Sequence, residues 1–201
     1  MPLLPLFPLE VVLFPGTLLP LHIFEPRYKE MIAECRANNA PFGVARALEH
    51  GIAEIGCTAD VVTVTKEYPD GRLDLIAQGR QRFEVVELNQ ERSFLRAEVL
   101  LVPDELGTAS PDDRARAIQV HREILELAGA VQDISGADPG TLSFHIAGSL
   151  PLDLDFKQNL LTMRSESERI PALAAYLEGI LPNLRRATRA RETAGGNGHA
   201  H

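Results

Sequence analysis

Apolar and polar residues alternate through the middle of the chain in the pattern typical of β-strands. Between residues 42 and 102, short runs place apolar side chains at every second position, as Val62 and Val64 do on either side of a threonine. One face of each run can then be buried. Tyr68-Pro69-Asp70-Gly71-Arg72 separates two of these runs with the residues of a tight turn. We therefore predict several short antiparallel strands, including a hairpin at this turn.

Prolines divide the N-terminal segment into short extended pieces. Six of the 14 prolines lie within the first 26 residues. Because proline cannot donate a hydrogen bond to a sheet, we expect edge strands and bends of a closed sheet here. From Pro26 to Asn38-Asn39 the apolar spacing becomes helical, which predicts one short helix. Its buried face is expected to consist of Tyr28, Met31, Ile32 and Cys35.

After Pro103 the apolar spacing is helical almost to the end of the chain. Ser110 is the predicted cap of the first of these helices, with Pro111 at its first position. We expect this helix to continue to Gly136. Its inward side chains are predicted to be Ile118, Leu125 and Ala128.

Two further helices are predicted from their start signals. Asp138-Pro139 opens one that extends to about Leu150. Asp155 is the predicted cap of the next one, which ends near Met163. Both are shorter than the first helix.

A last helix is predicted from Ser165-x-x-Glu168, which resembles a capping box. Two prolines disturb this prediction, because proline lacks an N–H group and its ring crowds the preceding turn. A helix that starts at Glu166 would be strained at Pro171. Pro182 is expected to bend or end the same helix.

These patterns predict an α+β protein with two main regions. A β-rich region with one short helix occupies residues 1–103, an α-helical region occupies 104–193, and a disordered tail occupies 194–201. The closely spaced short strands favour a small barrel or a strongly curved sheet. The tail is rich in glycine and has no apolar residue larger than alanine, so it cannot contribute to a core.

The balance of charge argues against nucleic acid as a partner. The chain has 20 basic and 28 acidic side chains, a net charge of −8, and only three lysines. Proteins that bind nucleic acid concentrate positive charge in order to neutralise phosphates. One basic run, at residues 185–191, departs from this balance, and we interpret it as the solvated end of the last helix.

The N-terminal segment lacks the features of a secretion signal or a membrane span. Its first basic residue is Arg27, and its longest uncharged stretch, residues 11–24, is broken by two prolines and a glycine. Cys35 and Cys57 are not part of a disulfide or zinc motif, so we expect two reduced, buried thiols. These features predict a cytoplasmic protein that does not associate with a membrane.

Motifs of catalysis and cofactor binding are missing from the sequence. It contains no phosphate loop with a glycine–lysine pattern and no Gly-x-Ser-x-Gly nucleophile motif. His121 and Glu123 lie two residues apart on a predicted helix and face different directions, which argues against a shared metal. His22 and His145 stand in apolar runs, where a hydrogen-bonded core or boundary histidine is expected. By elimination the sequence favours a non-catalytic protein without a cofactor or metal.

Three ordered blocks of the sequence are similar to one known family. They are Leu3-Leu4-Pro5-Leu6-Phe7-Pro8-Leu9 with residues 12–16 and 19–28; Ile55-Gly56-Cys57 with Pro69-Asp70-Gly71-Arg72 and residues 77–85; and Lys157-Gln158-Asn159-Leu160-Leu161 with Glu168-Arg169-Ile170. Together they cover residues 3–181 in order. They resemble the N-terminal substrate-recognition domain of Lon proteases, in the form found in stand-alone bacterial proteins without ATPase or protease domains.

The resemblance implies a fold and a function. The family has a PUA-like β pseudo-barrel followed by a helical bundle, and in full-length Lon this domain helps to select unfolded or damaged proteins. A separate ATPase and a Ser-Lys protease carry out the chemistry there, and no residue of theirs matches this sequence. The resemblance therefore implies a non-catalytic module that binds unfolded or apolar protein segments, as an adaptor or regulator of proteolysis that works with a separate protease.

The aromatic and charged residues of the matching blocks are the candidates for client binding, and each has a structural alternative. The aromatic side chains either line an apolar groove or belong to the core. Glu25 and Arg27 either contact a client or stabilise the start of the first helix. The candidate residues for client binding are Phe7, Phe14, Phe24, Glu25, Arg27, Tyr28 and Arg82.

Two rival functions remain open from the sequence. They are an RNA-binding PUA-like module and a small-molecule or hydrolase site in the barrel groove.

Overall fold

The hairpin at residues 68–72 joins the two longest strands, and the other strands are arranged around it. A computed structural model describes residues 3–131 and 138–196, without the side chains from residue 191 onward. Within these residues the elements are β1 (Leu4–Leu9), β2 (Leu18–Ile23), α1 (Pro26–Asn38), β3 (Phe42–Arg46), β4 (Ile55–Glu67), β5 (Leu73–Asn89), β6 (Arg96–Leu101), α2 (Pro111–Leu127), α3 (Leu142–Ser149), α4 (Leu154–Thr162) and α5 (Glu166–Gly196).

The strands form one sheet that closes on itself. Their order is β2-β5-β4-β3-β1-β6, and β6 also pairs with β5, which completes a ring of five strands with β2 attached to β5. The first half of β5 pairs with β2 and the second half with β6. The predictions of an α+β protein, of a small closed barrel and of a helical region after residue 103 are confirmed.

The position of β1 between two partner strands corrects the expectation that this proline-containing piece is an edge strand. β1 pairs with β6 at Leu4 and Pro5, and it pairs in parallel with β3 over Leu6–Leu9. Pro5 and Pro8 therefore each face a paired strand on one side only. A proline without an N–H group is tolerated in the interior of the sheet because the two ladders of β1 barely overlap.

Helix α1 has the limits and the buried face that the sequence predicts. It begins with Pro26 at its first position and ends at Asn39, whose left-handed backbone (φ 48°) stops the helix. The four side chains expected on its inner face are all buried. They belong to a core cluster that also contains Phe7, Leu13, Ile23, Phe42, Val44, Cys57, Ala59, Leu75, Ala77 and Phe94.

A close backbone contact explains the glycine at position 79. The N–H group of Gly79 donates to the carbonyl of Thr17, and its own carbonyl accepts from Gly16, at 2.9 Å in both cases. A Cβ atom at this position would lie 2.2 Å from the backbone oxygen of Phe14. Only glycine permits the turn before β2 to lie directly on β5.

Helix α2 starts as predicted and ends earlier. The Ser110 hydroxyl accepts a hydrogen bond from the N–H of Asp113 at 3.0 Å, and the helix stops at Leu127, next to Gly129 with its positive φ of 65°. The predicted end at Gly136 lies outside the described residues. The expected inner face was partly wrong, since Ala128 is exposed and Ile118 is half-buried. The buried face consists of Ala117, Val120, His121, Ile124 and Leu125.

The start signals of α3 and α4 were each misplaced. Asp138 accepts from the N–H of Gly140 at 2.7 Å and so forms a turn, and α3 begins four residues later at Leu142. Asp153, and not Asp155, caps α4, because its carboxylate accepts from two N–H groups of the first turn at 2.9 and 3.0 Å. When two acidic residues lie close together, the sequence does not reveal which one takes the extended cap conformation.

Helix α5 continues through both of its prolines, so it does not end at Pro182, one of the two predicted outcomes; the predicted bend there stays a prediction. Each proline removes its own N–H donor and crowds the preceding turn, and the burial of one apolar face compensates for that cost. The Ser165 carbonyl accepts from the N–H groups of Glu168 and Arg169 at the start of the helix. The buried side chains of α5 include Ile170, Leu173, Ala174, Leu177 and Leu181.

A buried ion pair fixes the first turn of α5. Arg169 and Glu166 are 0% and 1% exposed, and Arg169 Nε lies 2.9 Å from Glu166 Oε2. The two carboxylate oxygens of Glu166 also accept from the backbone and the hydroxyl of Ser143, both at 2.7 Å. The guanidinium of Arg169 stacks on the ring of Phe144 and donates to the carbonyl of Gly140. These partners compensate for the burial of two charges.

Contacts between residues divide the chain into two compact units. The first combines residues 1–105 with 147–164, and the second combines 106–146 with the residues from 165 onward. Helix α4 thus belongs with the strands, where Gln158 donates to the carbonyl of Ile55 at 2.9 Å. The domain limits 1–103 and 104–193 stay a prediction. Residues 194–196 continue α5, and the rest of the predicted tail lies outside the described residues.

No helix among the described residues combines the length and the apolar character needed to cross a membrane.

Cys35 and Cys57 are free and buried, as predicted. Burial raises the pKa of the Cys35 thiol to about 11 and that of Cys57 to about 12. Neither thiol therefore has appreciable thiolate character at neutral pH.

We expect the Gly79→Ala substitution to destabilise the protein by about 1–3 kcal/mol, because its Cβ would overlap the backbone of Phe14. Gly179 is the matched control, since a Cβ there meets no atom within 4 Å. Gly179→Ala should stabilise the helix by about 0.5–1 kcal/mol. Urea unfolding followed by circular dichroism measures both changes. Equal effects of the two substitutions would show that the contact at Gly79 is not tight.

We expect both cysteines of the native protein to resist a disulfide reagent such as DTNB at pH 8, because both thiols are buried and burial raises their pKa values far above 8. Reaction should appear only at strongly alkaline pH, and at Cys35 before Cys57. In guanidinium chloride both thiols should react at once. Rapid labelling of the native protein at pH 8, read from absorbance, would contradict the burial of either residue.

Candidate functional site

A small apolar cleft lies where β1, β2 and α1 meet. Its volume is about 230 Å³. The lining residues are Phe7 and Leu9 of β1, residues 20–25, and Tyr28 of α1. All of them belong to the first compact unit. Apart from the groups on its rim, the cleft presents aliphatic and aromatic surface.

Local sequence features place the walls of this cleft. Strand β2 turns Leu19, Leu21 and Ile23 towards the interior and the residues between them outward. The extended conformation of Glu25, immediately before Pro26, then directs the chain into α1. Phe24 lies at this junction and remains 58% exposed. A large aromatic side chain is thus held beside the cleft at the rigid end of a helix.

An aromatic pair forms the inner wall. The ring centroids of Phe7 and Tyr28 lie 4.2 Å apart. Burial raises the pKa of Tyr28, and the neighbouring guanidinium of Arg27 partly opposes that shift. Arg27 lies 4.7 Å from the centre of the Tyr28 ring and 2.7 Å from the carboxylate of Glu25. The two charges next to the cleft therefore already have partners.

A hydrogen-bonded group of three polar side chains lies beside Phe24. Nδ1 of His22 lies 2.5 Å from Oδ1 of Asp74, and the hydroxyl of Tyr68 donates to Oδ2 at 2.8 Å. The hydrogen bond from His22 and then that from Tyr68 lower the pKa of Asp74. The rings of His22 and Phe24 stack with centroids 5.8 Å apart. This group orients Phe24 without contributing an unpaired charge.

The structure brings five of the seven candidate residues together. Phe7 and Tyr28 line the cleft, Phe24 and Glu25 form its rim, and Arg27 contacts both Glu25 and Tyr28. His22 was expected to be a core or boundary histidine; it is 44% exposed and hydrogen-bonded to Asp74. Asp74 and Tyr68 are further neighbours of the cleft that were not predicted from the sequence. The register of the hairpin against β2, which pairs His22 with Asp74, is the signal that would have revealed them.

Phe14 and Arg82 lie elsewhere. Phe14 is 0% exposed, so its side chain offers no surface to a ligand. Arg82 is 2% exposed, and its guanidinium donates to the carbonyls of Leu161 and Met163 at 2.9 and 2.7 Å and to the carboxylate of Asp104. This arginine connects the end of α4 and the segment after β6 to strand β5 of the first unit.

Other candidate chemistry has little support within residues 3–131 and 138–196. No group of three or more histidine, cysteine, aspartate or glutamate side chains there is arranged to hold a metal ion. Of the basic run at 185–191, Arg185 pairs with Glu123 at 2.5 Å and Arg186 bonds to the side chain of Asn183. The ion pair with Glu123 offsets the charge of Arg185 and so reduces the positive charge that the run could offer to RNA.

Comparison with known proteins agrees with this architecture. The model of the ATP-dependent protease La (LON) substrate-binding domain matches residues 3–178. Lon protease 2 of Myxococcus xanthus is 32% identical over 79% of this chain and 21% of its own length. Lon protease of Flavobacterium johnsoniae is 28% identical over 90% of this chain and 24% of its own length. The chain thus spans about a quarter or less of these two relatives.

Solved structures show the same fold. The crystal structure of a Lon N-terminal domain protein from Xanthomonas campestris matches with a TM-score of 0.72 and 26% identity, over 88% of this chain and 99% of that one. The N-terminal domain of a Mycobacterium avium complex Lon protease matches in fold, with a TM-score of 0.68 and 18% identity. The family model, which matches most of the chain, decides the assignment. This chain belongs to the family of ATP-dependent protease La (LON) substrate-binding domains.

Proposed function

We propose that this chain is a non-catalytic module that binds apolar, partly unfolded polypeptide segments in the cleft between β1, β2 and α1. The observation that carries the proposal is the exposed ring of Phe24 beside a concave apolar site. Large apolar side chains that remain exposed at a cleft mark interaction sites more often than isolated ones do. Membership of a substrate-binding family supports the same conclusion.

The size of the cleft favours a side chain as the ligand. Its volume of about 230 Å³ is below the roughly 300–1,000 Å³ of pockets that bind drug-sized molecules. One leucine or phenylalanine side chain of a client gains about 1.5–3 kcal/mol when it is fully buried. Binding at this site alone is therefore weak, and it tolerates different sequences as long as an apolar residue is available.

The charges around the cleft support low sequence specificity. The carboxylate of Glu25 is paired with Arg27, and that of Asp74 accepts from His22 and Tyr68. A client residue of either charge would have to compete with an existing partner. The site therefore selects for apolar surface and only weakly for charge.

The relatives suggest what becomes of the bound segments. The matching proteins from Myxococcus xanthus and Flavobacterium johnsoniae are Lon proteases. We therefore include in the proposal that the segments belong to protein substrates of proteolysis, and that the module acts as an adaptor or regulator for a separate protease. The chemistry of peptide cleavage is assigned to that partner.

We expect Phe24→Ser to weaken the binding of an unfolded protein by about five-fold or more, which corresponds to the loss of about 1 kcal/mol at an interface. The probe is fluorescently labelled, reduced and carboxymethylated α-lactalbumin, and anisotropy measures its affinity. Leu100→Ser is the matched control, because Leu100 is a similarly exposed side chain (53%) on β6. Equal losses in the two variants, or no loss in Phe24→Ser, would refute the cleft as the client site.

We expect Arg82→Met to lower stability without changing client affinity. The substitution leaves two backbone carbonyls without this donor, which costs about 1–3 kcal/mol. Arg164→Met is the control, since Arg164 is half exposed and forms a surface ion pair with Glu105 worth about 0–1 kcal/mol. Urea midpoints and anisotropy on the folded proteins separate the two effects. An Arg82→Met variant of full stability that fails to bind would make Arg82 a client contact.

A further inference from the structure

Along residues 60–67, one edge of β4 has no neighbouring strand in the part of the chain that the structure describes. β3 pairs with β4 only at Cys57, Thr58 and Ala59. From Asp60 to Glu67, β4 pairs with β5 alone within the described residues. The outer edge of this segment therefore presents backbone N–H and C=O groups that no other strand occupies.

A trench lies along this edge. Its volume is about 500 Å³. Asp60–Val64 form one wall, and Cys35, Arg36, Asn39 and Ala40, at the end of α1, form the other. The charged groups next to it are paired: Arg80 Nε lies 2.8 Å from Asp60 Oδ2, and Arg36 Nη1 lies 3.3 Å from Glu67 Oε1. The polar groups that the trench offers to a ligand are therefore the side chains of Asn39 and Thr63 and the outward backbone groups of β4.

The chemistry of the β4 edge favours strand addition more than that of β2. Asp60–Thr65 reads Asp-Val-Val-Thr-Val-Thr, which is rich in β-branched residues and contains no proline. β2 also has only one partner strand among the described residues. Its edge, however, contains Pro20, which cannot donate a hydrogen bond and so blocks regular pairing. Val62 of β4 is 53% exposed and offers apolar surface to an incoming strand.

The shape of the β4 edge indicates which ligand fits there, a flexible polypeptide segment or a second folded copy of the chain. The register of β4 against β5 shifts between Val61 and Thr63 and again between Val64 and Lys66. Such bulges increase the local twist and hinder the rigid edge of another folded sheet. The end of α1 on the opposite wall further narrows the approach. A single extended chain can follow the twist and enter the trench.

We infer that the trench binds one extended polypeptide segment, which adds as a strand to Asp60–Val64 of β4. Backbone hydrogen bonds supply the affinity, so the segment is recognised as an unpaired strand and not by its sequence. This inference rests on the proposed function for the class of ligand, a polypeptide, while its site is separate from the cleft at β2. A client therefore has two different places to bind on the first unit.

The test uses the full chain and the peptide acetyl-Lys-Thr-Val-Thr-Val-Thr-Glu-amide, which has no net charge. We expect hydrogen exchange of the amides between Asp60 and Lys66 to slow when the peptide binds. The same peptide with N-methyl groups on alternate residues, which cannot donate on one edge, should bind at least ten-fold more weakly. Val62→Lys should weaken binding about five-fold, because an edge lysine opposes strand pairing. Val86→Lys is the matched control on β5, at a side chain of similar exposure (57%).

Each contrary result overturns the inference. Equal binding of the methylated peptide would exclude backbone pairing, and slowed exchange at Leu18–Ile23 would place the strand on β2. Protection of the β4 amides that increases with protein concentration in the absence of peptide would identify a second copy as the occupant. Slowed exchange confined to the amides of residues 60–66 would locate the peptide in the trench, and slowed exchange confined to residues 24–28 would locate it in the cleft, so failure of the trench and failure of the cleft give different results.

Discussion

Strand β5 is the constraint on which the first unit depends, because its 17 residues exceed the length of any neighbour. Its first half carries β2 up to Gln78, and its second half carries β6 from Phe83 onward, while β4 pairs along most of its length. The same strand thus closes the barrel at one end and extends beyond it at the other. β2 lies on the extension, outside the closed ring, and this arrangement leaves a cleft between β2, β1 and α1.

Two buried arginines show how the chain stabilises backbone that regular pairing cannot satisfy. Arg82 donates to two carbonyls at the end of α4, and Arg169 joins the starts of α3 and α5 through Glu166, Ser143 and Gly140. A planar guanidinium with five donors suits such converging acceptors better than a lysine does. Both arginines stand in the sequence blocks that resemble the Lon family. Their contacts give those motif positions a structural role within each unit.

The backbone conformation could be predicted from the sequence wherever neighbouring residues alone decide it, as at Pro26 and Asn39 around α1 and at the turn before β5. Prediction from the sequence failed where the burial of side chains in the tertiary structure outweighs local propensity. α5 passes through Pro182, for example, because its apolar face is buried. The candidate site was only partly predictable for a related reason. Phe14 and Phe24 occur in similar apolar runs, and only the closed sheet makes one of them core and the other surface.

The two proposed binding places lie at opposite ends of one helix, and this relation bears on selectivity. Tyr28 near the start of α1 lines the cleft, and Cys35 and Asn39 at its end line the trench. A helix of 13 residues is about 20 Å long, a distance that roughly six extended residues cover. A folded protein seldom offers an unpaired strand and a free large apolar side chain so close together, whereas an unfolded chain does. Under the proposed function, a client that meets both weak contacts at once binds more tightly than one that meets either alone, and this difference discriminates by conformation while it tolerates any sequence that supplies both contacts.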